Sequence, residues 1–211
     1  MAQFLSIHPT HPQRRLLRIA AEVVRKGGLI AYPTDSSYAL GCHLGDADAV
    51  QRLRRVRGVD DKHHLTLMCR DLSAIGTYAI VDNRQYRLLR SMTPGSYTFI
   101  LQATREVPRR LMHPRRKTIG VRVPLHPVAL AMLEEHGEPM LSATLALPGA
   151  SAPLSTAEEI RDALDRQLEL IIDSGPCGSE PTTVVDLTAV VPAVLRVGKG
   201  AVERIGREEA L

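Results

Sequence analysis

The sequence predicts a single α/β domain with a mixed sheet over residues 1–211. Three observations carry this. Short apolar runs of Val, Ile, Leu and Ala recur along the chain, several of them closed by Pro or Gly, as buried strands are. Segments with apolar residues at helical spacing lie among them. The two kinds are interspersed without strict β-α-β alternation, which favours a mixed sheet over a purely parallel one. A chain of 211 residues can also bury one sizeable core.

In order, Gln3 to Ile7 is a first strand, stopped by His8-Pro9. Gln13 to Lys26 is a helix: Leu16, Leu17, Ala20, Val23 and Val24 form its apolar stripe, and Gly27-Gly28 ends it. Leu29 to Tyr32 is a buried strand cut off at Pro33. Asp46 or Asp48 caps a second helix that runs to about Val56. Leu65 to Cys69 is the next strand, followed by helices near Leu72–Gly76 and Asn83–Ser91. Ser96 to Ala103 is a strand by its β-branched and aromatic content. Thr118 to Val123 is another, closed by Pro124; Val128 to His136 is an amphipathic helix ended by Gly137; Met140 to Leu145 is a strand. Ser155 and Glu158 have the spacing of a capping box, which starts a helix to about Leu168. Leu170–Asp173, Thr182–Leu187 and Ala193–Val197 read as strands, with a short helix at the end.

Composition narrows the function. The 23 Arg and four Lys give a net charge of +4 and an isoelectric point near 9.2, a modest bias toward anionic partners such as nucleotides or RNA. Three widely spaced cysteines without C-x-x-C argue against zinc and thioredoxin-type chemistry and fit a reducing cytoplasm. No signal peptide and no membrane-length apolar run is present, so no membrane association is expected. Neither G-x-x-x-x-G-K-[ST] nor H-E-x-x-H nor G-x-S-x-G occurs. His63 and His64 are adjacent and cannot readily share one ion.

The strand ends are the informative places. Leu29–Tyr32 runs into Thr34-Asp35-Ser36-Ser37, which read alone is either a Ser/Asp turn or a ligand-binding strand end. Hydroxyls and Arg recur at Arg55-Val56-Arg57, at Thr118 and Arg122, at Ser142 and Thr144, at Thr182-Thr183 and at Arg196. If these ends converge they line a basic, hydroxyl-rich cavity suited to phosphates and carboxylates, with Arg supplying bidentate charge-assisted bonds.

At this point the chain resembles a known family. Tyr32-Pro33-Thr34-Asp35-Ser36-Ser37-Tyr38-Ala39-Leu40-Gly41 is similar to the P-T-[DE]-T-x-Y-G-L signature of the YrdC-like proteins. Pro94-Gly95-Ser96-Tyr97-Thr98, Gly120-Val121-Arg122-Val123-Pro124, Thr182-Thr183-Val184-Val185-Asp186 and Arg196-Val197-Gly198 match further motifs in order. Thr66 to Leu72 and Val107 to Leu111 point to the YciO subgroup. The resemblance implies a twisted mixed parallel/antiparallel sheet with flanking helices around a basic cavity. It implies a threonylcarbamoyl-AMP synthase-like protein, which makes that product from L-threonine, bicarbonate and ATP for the t6A modification of tRNA.

Carried over motif by motif, Thr34, Ser36, Tyr38, Arg122, Ser142 and Thr182 would bind L-threonine. Arg55, Arg57, Lys62, Thr118, Thr144 and Arg196 would bind the nucleotide, and Arg55, Arg57 and Lys62 would carry the chemistry. ATP enters with Mg²⁺ as substrate; no tightly bound metal or organic cofactor is expected. Two elements depart from the family pattern: K-x-R becomes Arg55-Val56-Arg57, and S-x-N becomes Thr144-Leu145-Ala146. Losing an oriented donor at developing charge costs about 3–4 kcal/mol, so weakened activity is expected. The additional C-terminal domain of longer family members is not expected here. Two other readings remain. One is a double-stranded RNA- or tRNA-binding module using the basic tract Arg105–Lys117, which otherwise is a solvated loop. The other is an enzyme on a different small anionic or nucleotide substrate.

Overall fold

The computed structural model describes residues 1–60, 63 and 65–205. The expected mixed sheet with flanking helices is what it contains. The strands are β1 (Gln3–Ser6), β2 (Ile30–Tyr32), β3 (Ala39–His43), β4 (Thr66–Met68), β5 (Ala79–Ile80), β6 (Tyr97–Ala103), β7 (Thr118–Arg122), β8 (Met140–Thr144), β9 (Leu170–Asp173), β10 (Thr183–Asp186) and β11 (Ala193–Arg196). The helices are α1 (Arg14–Arg25), α2 (Ala47–Arg57), α3 (Leu72–Tyr78), α4 (Asn83–Met92), α5 (Pro127–His136) and α6 (Ala157–Leu164). One sheet runs in the order β1-β9-β2-β3-β8-β4-β7-β6-β10-β11, with β5 added to β6. Its pairings are parallel at β1–β9, β9–β2, β4–β7 and β6–β10, and antiparallel elsewhere. Among the described residues no helix is long and apolar enough to cross a membrane.

Strand alternation divides the sheet into two faces. Ala31, Leu40, Leu67, Phe99, Val121, Leu141 and Ile171 point into the larger core with α2, α3, α4 and α6. On the other face Ile30, Tyr32, Leu170 and Ile172 lie beneath α1 and α5, which pack on each other. Those two helices cover only part of that face. Over β4, β6, β7, β8 and β10 it carries Thr66, Thr98, Ile100, Gly120, Ser142 and Val184, and there a cavity opens.

Local chemistry sets several element ends. The Asp46 carboxylate, rather than Asp48, accepts the Ala49 N–H and caps α2, which ends at Gly58 with φ +62°. The capping box of α6 is one residue later than the spacing of Ser155 and Glu158 suggests. Thr156 accepts from Glu159 N–H, and Glu159 accepts from the N–H groups of Thr156 and Ser155. That helix stops at Leu164, although Leu168 still packs in the core. The terminal helix is a single 3₁₀ turn, Val202–Arg204. The strand β3 was hidden in the sequence: Ala39–His43 follows directly on the hydroxyl-rich turn, and its pairing with β2 closes a hairpin around that turn.

Candidate functional site

The cavity has a volume of about 740 Å³, within the range of small-molecule sites. Strand register builds its floor. Thr66 pairs with both Ser142 and Gly120, Gly120 pairs with Ile100, and Val184 pairs with Thr98. A Cβ on Gly120 would meet Thr66 Oγ1, the Leu65 carbonyl and Thr98 Cγ2 at 3.3–3.4 Å, so its absence keeps the floor low.

One end is a dense, buried network. Asp35 and Arg122 form an ion pair of 2.7 Å with both side chains 8% exposed. Asp35 also accepts from the Ser96 hydroxyl and from Leu125 N–H. Burial pushes its carboxyl up, but the Arg122 charge and these two hydrogen bonds outweigh burial and hold it below the usual carboxylate range. Arg122 donates a second bond to the Ser36 hydroxyl at 3.1 Å. Its Nε–H is buried with no partner. Thr34 Oγ1 donates to the Ser37 carbonyl and accepts from the N–H groups of Ser36 and Ser37. The stretch is therefore a hydroxyl turn and a cavity wall at once. Lys199 closes this end from outside by donating to the Asp35 carbonyl. Tyr32 donates or accepts at Ser142 Oγ, 2.8 Å away, and burial pushes the Tyr32 phenol up, so it stays protonated.

The other end is looser. Arg57 leaves the last turn of α2 and donates to the Ala146 carbonyl, while its Nε–H is buried without a partner. Burial lowers its pKa, though a guanidinium stays charged at any working pH. Arg196 grips the Thr182 carbonyl through Nε and Nη2 at 3.1 and 3.0 Å, and Thr182 Oγ1 lies 3.0 Å from Thr98 Oγ1. His63, Ala146 and Ser151–Pro153 complete this rim.

Seven of the sequence-selected residues thus line one cavity: Thr34, Arg57, Arg122, Ser142, Thr144, Thr182 and Arg196. Ser36 stands immediately behind, bonded to Arg122 and Thr34. Three are placed elsewhere. Tyr38 is fully buried in the larger core, where its hydroxyl donates to the Gly175 carbonyl. Thr118 shares the face of Gly120 by alternation but lies outside the lining, with its hydroxyl buried and unpartnered. Arg55 is exposed on α2 and does not line the cavity, because residues two apart on a helix project to different sides and Arg57 takes the inward one. Lys62 falls outside the described residues. Asp35, Ser96, Thr66, Thr98 and Lys199 join the site without having been selected. For Thr66 and Thr98 the available signal was period-two alternation with Met68 and Ile100. All three thiols are raised by burial, to about 12 at Cys42 and Cys69 and about 11 at Cys177, so none is poised as a thiolate.

Fold and site together define an α/β protein with a basic, hydroxyl-lined cavity at the uncovered part of a mixed sheet. The chain belongs to the Sua5/YciO/YrdC family: the family model, described as telomere recombination, matches residues 22–198. It is 56% identical over 203 residues to the uncharacterized protein YciO of Escherichia coli strain K12, covering 96% of this chain and 98% of that one. The crystal structure of E. coli YciO superposes with a TM-score of 0.94, at 55% identity, over 97% of this chain and all of that one. The threonylcarbamoyl-AMP synthase of Halorhodospira halophila is 32% identical over 179 residues, 84% of this chain and 92% of that one. The crystal structure of Pyrococcus abyssi Sua5 complexed with L-threonine matches with a TM-score of 0.88 at 28% identity, over 96% of this chain and 59% of that one.

Proposed function

We propose that the cavity binds ATP and L-threonine and forms threonylcarbamoyl-AMP from them and bicarbonate, at a reduced rate. The observation that carries this reading is the convergence of seven motif residues on one cavity of about 740 Å³ in a member of this family. Similarity to threonylcarbamoyl-AMP synthases, and to a Sua5 structure holding L-threonine, supports it.

In this reading Arg122 holds the threonine carboxylate. Asp35 and Ser36 fix the plane of the guanidinium, and the unpartnered Nε–H aims a spare donor. Thr34 and Thr182 orient the amino acid. The threonine amine adds to bicarbonate to give a carbamate with loss of water. A carbamate oxygen then attacks the α-phosphorus, and the bond to pyrophosphate breaks. Such transfer depends on positioning and on cations set against the phosphoryl oxygens. Arg57, Arg196 and Lys62 supply that charge, Thr144 lines the nucleotide side, and Mg²⁺ rides on the ATP. Ala146 offers only its carbonyl, already taken by Arg57, so the side-chain amide of the family's Asn is missing where charge develops. The product would feed t6A modification of tRNA.

Incubating purified protein with L-threonine, bicarbonate and MgATP should release pyrophosphate in a threonine-dependent manner. Release that ignores threonine would move the activity to another anionic substrate and overturn this reading. A second reading, RNA binding, is favoured by one observation: Arg105, Arg109, Arg110, Arg115, Arg116 and Lys117 are all exposed around one loop region. It predicts salt-sensitive, sequence-indifferent binding that weakens when Arg109, Arg110, Arg115 and Arg116 are neutralised.

A further inference from the structure

A second constellation lies at the opposite end of the β3–β8 ladder from the cavity. Ala39 and Thr144 pair at the cavity end, and His43 pairs with Met140 at the other. Four residues of strand separate these ends by about 13 Å. There His43, the last residue of β3, meets His136, the last residue of α5, and Glu138, just before β8. One ligand atom from each lies within 4.8 Å of the others. His43 Nε2 and Glu138 Oε2 are 3.3 Å apart, close to the ~3.4 Å edge of a tetrahedral site with bonds near 2.1 Å. The two imidazoles stand edge to face with centroids 5.8 Å apart.

His136 is the second, independent observation. It is only 5% exposed, and neither of its ring nitrogens makes a hydrogen bond of ordinary geometry. Buried polar atoms left in that state are few and call for an explanation.

We propose that His43, His136 and Glu138 bind one divalent transition-metal ion of the zinc type. Two imidazoles and a carboxylate suit zinc and disfavour magnesium and calcium, which want oxygen ligands alone. Glu138 is exposed, so the remaining coordination position opens to solvent. Two features moderate the affinity. His43 Nδ1 accepts the Gly45 N–H at 3.1 Å, so ligation through Nε2 moves the ring proton and breaks that bond. Arg25 donates to the main-chain carbonyls of Glu135 and His136, bringing a positive charge near. The ion would staple the end of α5 to β3. The sequence does not suggest this site, because His43 is far along the chain from the His136-Gly137-Glu138 stretch that supplies the other two ligands. It does not depend on what the cavity binds.

The test uses untagged full-length protein stripped with a chelator. Zinc should bind saturably at one equivalent and, at a free concentration 100 times Kd, raise Tm by about 5–10 °C, while magnesium should not. Cobalt(II) should give the visible absorption of a four- or five-coordinate nitrogen–oxygen site. His43→Ala and Glu138→Gln change exposed or half-exposed side chains and should keep the far-ultraviolet circular dichroism. Each should weaken zinc binding at least tenfold. Absence of saturable zinc binding, or unchanged affinity in both variants, would overturn the proposal.

Discussion

The two ends of the cavity are built on different principles. At the Asp35 end the polar groups are partnered except one: Arg122 bonds Asp35 and Ser36, Asp35 also Ser96 and Leu125, and Thr34 its own turn, while the Arg122 Nε–H stays spare. At the Arg57 end each guanidinium holds main-chain carbonyl, Ala146 for Arg57 and Thr182 for Arg196, and among the described residues no carboxylate pairs with either. The first end is pre-organised and adjusts little; the second keeps its positive charge uncompensated, as a site for phosphates needs. Of the two departures from the family pattern, Ala146 lies at the second end, while Arg55 is exposed on α2 outside the cavity.

The largest expected effect breaks the first end. Asp35→Ala leaves Arg122 buried beside no anion and should cost about 3–5 kcal/mol of stability in urea denaturation. Arg57→Ala, across the cavity, removes one charge-assisted bond and should cost about 1.5–3 kcal/mol at most. Equal costs would erase the distinction. Ala146→Asn should raise threonine-dependent pyrophosphate release by about two to three decades if the missing amide limits the chemistry. An unchanged rate would shift the limit to Arg57.

Acid should act through the first end. The folded carboxyl of Asp35 titrates below its ordinary value of 3.8, so its contribution is fully present above that pH. As pH falls below 3.8 and through the lower folded value, protonation removes that contribution. Asp35→Asn should therefore flatten the acid limb of a stability–pH curve below pH 3.8, a change readable by denaturation at graded pH. The smallest effect lies between the ends. Thr98→Val removes the contact with the Thr182 hydroxyl and should cost about 1 kcal/mol, with pyrophosphate release kept within a few-fold of the parent protein.

Most elements were legible because their apolar periodicity and breakers were strong: α1 ends just before Gly27-Gly28, α5 is capped by Gly137, and β7 runs up to the Val123-Pro124 break. What was not legible depends on tertiary pairing. β3 is short and carries Gly41 at its centre, so only its ladders with β2 and β8 define it. Arg55 and Arg57 look equivalent in a linear motif, and only the helical turn separates them. Tyr38 carries the right chemistry, but alternation from Ala39 sends it to the opposite face. Asp35 was visible as a carboxylate among hydroxyls, yet nothing local shows that Arg122, far along the chain, is its counter-ion.

Gly120 gives the site one property that no side chain could. Between β4 and β6 the sheet is locally thinner, and a group resting there faces the Gly120 peptide with the Thr66 and Thr98 side chains at its edges. Thr66 and Thr98 set the edges of that surface, but the Gly120 peptide itself presents the same atoms whatever residues flank it. The part of the cavity least open to evolutionary retuning is thus the part with nothing in it.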